Sequence, residues 1–134
     1  MAREVSTNGR KKVSTLQKEF NANFPYLWLY ICPSTEKKKY KDGGTGGTIS
    51  SVDVSKTLSE VRTKKGSGEI SFTGSKNVGT IEREFEEIFG LYVQIIYKDS
   101  NGDRFYSQGF DKISLTALNR EKAQNGCMDF KGKY

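Results

Sequence analysis

The chain contains no histidine, two cysteines, two prolines, two methionines and one tryptophan among its 134 residues. The lack of histidine removes the commonest general base, the usual partner of a nucleophilic serine or cysteine, and the commonest metal ligand. Cys32 and Cys127 stand 95 residues apart, which makes neither a redox pair nor a zinc knuckle. They are expected to be reduced thiols in a cytoplasmic protein. Long apolar runs are missing too: the longest, Tyr26 to Cys32, has seven residues, against the ~20 that span a bilayer. The opening Met1-Ala2-Arg3-Glu4 is polar and has no secretory-signal pattern, and no lipidation motif follows. No membrane association is expected.

What is present begins with aromatics. Only 34% of residues are apolar, but eight Phe, seven Tyr and the Trp supply material for a core. Charge is unevenly shared. Residues 1–67 hold 13 Lys+Arg and 6 Asp+Glu, whereas residues 68–134 hold 9 and 10, so a net charge of +6 conceals halves of +7 and −1.

The chain also repeats itself, the first thing to look for in such a sequence. Residues 4–32 laid over 69–97, a constant shift of 65, match without a gap and with ten identities in 29 positions. They are Glu4/Glu69, Ser6/Ser71, Gly9/Gly74, Lys11/Lys76, Val13/Val78, Thr15/Thr80, Glu19/Glu84, Phe20/Phe85, Phe24/Phe89 and Ile31/Ile96. The pattern predicts an internal duplication.

Each copy reads alike. A short strand, Glu4–Thr7 or Glu69–Phe72, precedes an amphipathic helix. Val13, Leu16, Phe20 and Phe24 in one copy, and Val78, Ile81, Phe85, Ile88 and Phe89 in the other, fall on one helical stripe. Ser14 with Gln17 is read as a capping box, with Gly79 and Glu82 at the counterpart positions, and Pro25 and Gly90 are read as stops. A strong strand follows, Tyr26–Cys32 or Leu91–Lys98. In the first copy both of its faces are apolar, which suits either a central, buried strand or an exposed aromatic platform. Asp99 to Asp103 reads as a hairpin turn returning through Arg104–Ser107. The first copy is expected to turn through Pro33–Lys39 and return near Tyr40. A second helix is expected to begin at Thr57 and at Ser114. The tail, Cys127 to Phe130, resembles Glu69 to Phe72 and is read as a third copy of the opening strand.

Motifs that could carry chemistry fail on inspection. Asp99-x-Asn101-x-Asp103 imitates a calcium loop but has Arg104 at the sixth position and Phe110 at the twelfth. Gly43 to Thr48 lacks the Lys-Ser/Thr of a phosphate loop and reads as a flexible insertion. Glu82, Glu84, Glu86 and Glu87 crowd one helix and point mostly to water. The basic residues cluster at Arg10, Lys11 and Lys12, at Lys37, Lys38, Lys39 and Lys41, and at Lys64 and Lys65. Such loops beside Tyr40 suit a nucleic-acid backbone, or serve as solubilising tips that guard sheet edges.

The repeated motif Lys-x-Val-x-Thr-Leu/Ile-x-x-Glu-Phe-x-x-x-Phe, at Lys11–Phe24 and Lys76–Phe89, resembles a group of small bacterial proteins of uncharacterised function carrying two tandem copies. That resemblance implies a bacterial protein and a duplicated α+β fold, and nothing about chemistry. Pro25 stands where that group has Gly. The expected fold is α+β, a duplicated β-α-β-β-α unit with helices packed against antiparallel or mixed sheet and a pseudo-two-fold. Units at 1–66, with a Gly-rich insertion at 42–55, and 67–134 are expected to pack as one compact domain. The expected function is a non-enzymatic binding or adaptor module with a protein partner or self-association, through Leu27, Trp28, Leu29 and Tyr40. Nucleic-acid binding by the basic first unit is the alternative. No catalytic residue, metal, cofactor or small-molecule ligand is expected.

Overall fold

The computed structural model describes residues 5–7, 9–33, 51–64, 68–106 and 112–132. Along them run β1 (Val5–Thr7), α1 (Val13–Asn23), β2 (Trp28–Pro33), α2 (Leu58–Val61), β3 (Ile70–Phe72), α3 (Val78–Phe89), β4 (Leu91–Lys98), β5 (Arg104–Tyr106) and α4 (Leu115–Gln124). The class is α+β, as the periodicities predict.

The apolar stripes carry the two long helices. Val13, Leu16 and Phe20 of α1, and Val78, Ile81, Phe85 and Phe89 of α3, are buried. Spacing by three and four places each set on one side of its helix. The capping box expected at Ser14/Gln17 does not form, because the N-cap is Lys12, and neither its side chain nor that of Asn77, the N-cap of α3, bonds the helix. Distant carbonyls take the first amides instead. Val13 N–H donates to Lys56 O and Ser14 N–H to Val54 O, both at 2.9 Å, and Val78 N–H donates to Ile113 O at 3.0 Å. A tertiary acceptor leaves no orphan donor for a side chain to satisfy. A capping box does form at α2, where Glu60 N–H donates to Thr57 Oγ1 and Thr57 N–H to Glu60 Oε1, at 3.3 and 3.0 Å. This helix is only four residues long, against ten in α4 behind Ser114.

Strand pairing crosses between the halves of the chain. β1 pairs antiparallel with β3, and β2 with β4, so both pairings join the first half of the chain to the second. β5 extends the second pair, leaving a two-stranded ribbon and a three-stranded sheet ordered β2-β4-β5. The two halves therefore share their sheets. The three-residue strands β1 and β3 cannot hold a sheet by themselves, and each finds its partner in the other half. Among the described residues β4 is central and β2 pairs with β4 alone, and Leu29, Ile31, Trp28 and Cys32 are buried, so neither face of β2 is an exposed platform. Its edge carbonyls are occupied: Gln17 Nε2 donates to Leu29 O at 2.9 Å, and Val52 N–H to Ile31 O at 3.0 Å. Val52 is buried, so the stretch from Ser51 belongs to the packed body, although it falls inside the expected insertion. The turn at Pro33–Lys39, the return near Tyr40 and the glycines at 43–48 lie, after Pro33, outside the described residues.

The ungapped match of the halves breaks after the helices. Leu27, Leu29 and Ile31 face the core, as do Leu91, Val93 and Ile95, which corresponds to a shift of 64. Ile31 therefore lies in the main core, while Ile96 packs behind the sheet on Trp28 and Phe130. Pro25-Tyr26 stands between Phe24 and Leu27 where Gly90 alone, in left-handed backbone at φ 63° and ψ 33°, stands between Phe89 and Leu91. Because strand faces alternate with period two, a one-residue difference reverses every side chain.

One core joins both halves. An aromatic chain runs Phe24–Phe20–Phe72–Phe85–Phe89, with ring centroids 5.1, 5.6, 5.8 and 5.6 Å apart. Phe72 of β3 thus bridges α1 and α3. The tail is no third opening strand. Met128 N–H donates to Lys98 O at 3.1 Å, Phe130 N–H to Pro25 O at 3.0 Å, and the Phe130 ring lies 5.7 Å from Trp28. The tail covers the face of the sheet that the helices leave bare. Asp99 to Asp103 forms the expected turn. The Asp99 Oδ1 accepts from the Asn101 and Asp103 amides at 2.9 Å, so local backbone donors hold that oxygen.

Candidate binding groove

Residues Ser14, Gln17 and Lys18 occupy one side of α1, because positions four and three apart share a helical face. Trp28 and Tyr30 alternate along β2 and project from the face away from the core. Between these sides, with Ser51, Val54 and Gly132 completing the lining, lies a groove of about 410 Å³. Its surface is mostly apolar and it is open to solvent rather than enclosed. Lys18 is exposed, and it is the only charged residue lining the groove among those described.

Two amides on α1 shape this region, and sequence reasoning missed their role. Gln17 is buried and bonds the β2 edge. Asn21 is buried as well: its Nδ2 donates to Leu27 O at 2.9 Å and to Pro25 O at 3.1 Å, and its Oδ1 accepts from Gly132 N–H at 2.7 Å. Asn21 thereby ties the helix, the turn into β2 and the tail together. A signal was available, since the second half carries the carboxylates Glu82 and Glu86 at the matching positions. Neutral amides can be buried against carbonyls where carboxylates cannot.

The residues expected to form a surface do something else. Leu27 and Leu29 are fully buried and Trp28 is 4% exposed. The reading of these three as an interaction surface is corrected: Leu27 and Leu29 belong to the main core, and Phe130 lies against Trp28. What the groove offers is the margin of Trp28 together with half-buried Tyr30. Tyr40, Lys37, Lys38, Lys39, Lys41 and Lys65 lie outside the described residues.

The remaining basic residues are not gathered into one working set. Lys11 pairs with Glu19, as Lys76 pairs with Glu84 at 3.0 Å in the second half. Lys64 closes the C-terminus of α3. Its N–H and that of Thr63 donate to Phe89 O at 3.2 and 2.9 Å, its Nζ reaches Glu87 O at 3.4 Å, and Arg62 donates to Ile88 O at 2.8 Å. Carbonyls at a helix C-terminus lack helical partners and favour cations. Lys11 and Lys64 are thus committed within the chain, while Arg10 and Lys12 are exposed.

A cluster at the other end of the sheet holds Cys127, Tyr97 and Lys122. Burial pushes the Cys127 thiol above its ordinary range, and nearby Lys122 pulls it back less strongly than burial raises it. Burial also raises Tyr97, with Cys127, Glu121 and Asp99 adding to the effect. Lys122 Nζ sits 4.0 Å from the centre of the Tyr97 ring, a cation–π contact. A thiol held protonated is a poor nucleophile. The groove is the better candidate for recognition: it can seat an apolar group beside a cation.

Among the described residues no helix is long and apolar enough to cross a membrane. Set against family models, curated proteins and solved structures, the chain matches none of them significantly.

Proposed function

We propose that the chain is a non-enzymatic binding module that receives a segment of another protein in the groove between α1 and β2. The observation that carries this reading is the apolar groove of about 410 Å³ with Trp28, Tyr30 and Val54 in its lining. Its size lies in the range of ligand sites generally. The test is selection of peptides from a random library on the immobilised full chain. Enriched peptides should lose binding to Val54→Arg and to Tyr30→Ala, both checked by thermal melting for retained fold. Enrichment that ignores both substitutions, or no enrichment, refutes the reading.

We infer that the architecture behind this module is a duplicated unit folded about a pseudo-two-fold, as in the small bacterial proteins that the motif resembles. Three observations support it. Ser6 opposes Ser71, its counterpart at a shift of 65, and Tyr30 opposes Gln94, its counterpart at the strand shift of 64. Bridges Lys12–Thr57 and Asn77–Ser114 recur at the starts of α1 and α3. The Lys11–Glu19 and Lys76–Glu84 pairs repeat as well. On this reading the positions of Trp28 and Tyr30 are held in the second half by Tyr92 and Gln94, both buried. The two cysteines are both free thiols, which supports a reducing, cytoplasmic setting.

A further inference from the structure

We propose that the groove selects an acidic segment, with an apolar side chain resting on Trp28, Tyr30 and Val54 and a carboxylate beside Lys18. This deepens the reading of the groove as a protein-binding site and rests on it.

Three features of the groove define the occupant. The first is the β2 edge. The carbonyls of Leu29 and Ile31 already accept from Gln17 and Val52, so an incoming strand finds them occupied. Recognition therefore runs through side chains. The second is openness. An open trough covers a small ligand on one side only, whereas small-molecule sites bury most of their ligand. A side chain anchored by its own flanking peptide suffers less from this, since the rest of the segment lies across Ser14 and Ser51. The third is charge. Lys18 has no acidic partner among the described residues, unlike Lys11 and Lys76, which hold Glu19 and Glu84. No carboxylate lines the groove among those residues, and the half of the chain that carries it has net charge +7. The field of that half attracts an acidic segment and repels a basic one.

Three capped hexapeptides test the proposal on the full chain: Gly-Asp-Leu-Phe-Asp-Gly, its Lys-flanked counterpart and its Gln-flanked counterpart. Trp28 is the sole tryptophan and lines the groove, so its fluorescence reports occupancy. The acidic peptide should bind the parent about three- to fivefold more tightly than the neutral one, the range of an exposed ion pair, and less so at high salt. Lys18→Glu should invert the order of the acidic and basic peptides. Lys18 is exposed, so that substitution leaves the fold intact. Equal binding of all three peptides, unchanged by Lys18→Glu, overturns the charge selection and leaves the groove standing. Absence of any fluorescence change, or binding indifferent to Val54→Arg, overturns the groove as well.

Discussion

Phe72→Ala is the most informative single change, because Phe72 is the ring through which the aromatic chain passes from one half to the other. Its side chain is fully buried and stands 5.6 Å from Phe20 and 5.8 Å from Phe85. Truncating a buried Phe costs about 3–5 kcal/mol, from lost transfer energy and the cavity left behind. A domain of this kind has roughly 5–15 kcal/mol in total, so the variant should lose about a fifth or more of its stability. The assay is urea unfolding followed by Trp28 fluorescence and by far-ultraviolet circular dichroism. Trp28 sits on β2 of the first half, whereas Phe72 sits on β3 of the second. If one core spans both, the two probes share a midpoint in the parent and shift together in the variant. Phe72→Leu, which keeps much of the volume, should cost about 1–1.5 kcal/mol in the same assay. Midpoints that separate, or a fluorescence transition unmoved by Phe72→Ala, would refute the single cooperative core.

Gly90→Ala should destabilise more than Gly126→Ala. Both glycines have positive φ, 63° and 77°, but a Cβ on Gly90 would clash with Thr63 Oγ1 and stand 3.1 Å from Lys64 N, while one on Gly126 meets nothing within 4 Å. Losses of about 2–3 and about 1 kcal/mol are expected, read from urea midpoints, and equal losses would contradict the packing of the α3 terminus. Iodoacetamide at neutral pH should leave Cys32 untouched until the chain unfolds and should modify Cys127 more slowly than the same thiol in urea, followed by mass spectrometry. Above about pH 9 stability should fall. Raised Cys127 and Tyr97 hold their protons more tightly folded than unfolded, so their contribution is complete below the unfolded values and is lost as pH rises through the folded ones. Tyr97→Phe should flatten that decline. On the acid side Glu60 runs the other way. The Thr57 hydrogen bonds lower its carboxyl, so its contribution is present above the ordinary carboxylate value and fades as pH falls, and Glu60→Gln should remove that slope.

The sequence by itself determined the parts governed by neighbours along the chain. The stripes of α1 and α3 follow from spacing by three and four, the starts of α2 and α4 from Thr57 and Ser114, and the β4–β5 turn from Asp99 to Asp103. Tertiary structure decided the rest. It supplied the helix caps, because an amide satisfied by Lys56 or Ile113 has no use for a nearby hydroxyl. It chose the strand partners, because an exposed edge pairs with whichever edge the packed helices bring to it, and here that edge belongs to the other half. It fixed which way Ile31 and Ile96 face, because one residue more before β2 reverses the pleat. It committed Lys64 to a helix terminus and laid Phe130 over Trp28. The groove beside Lys18 arises from the same causes: no local pattern brings residues 14, 30, 54 and 132 together, and only the packing of α1, β2 and the tail does so.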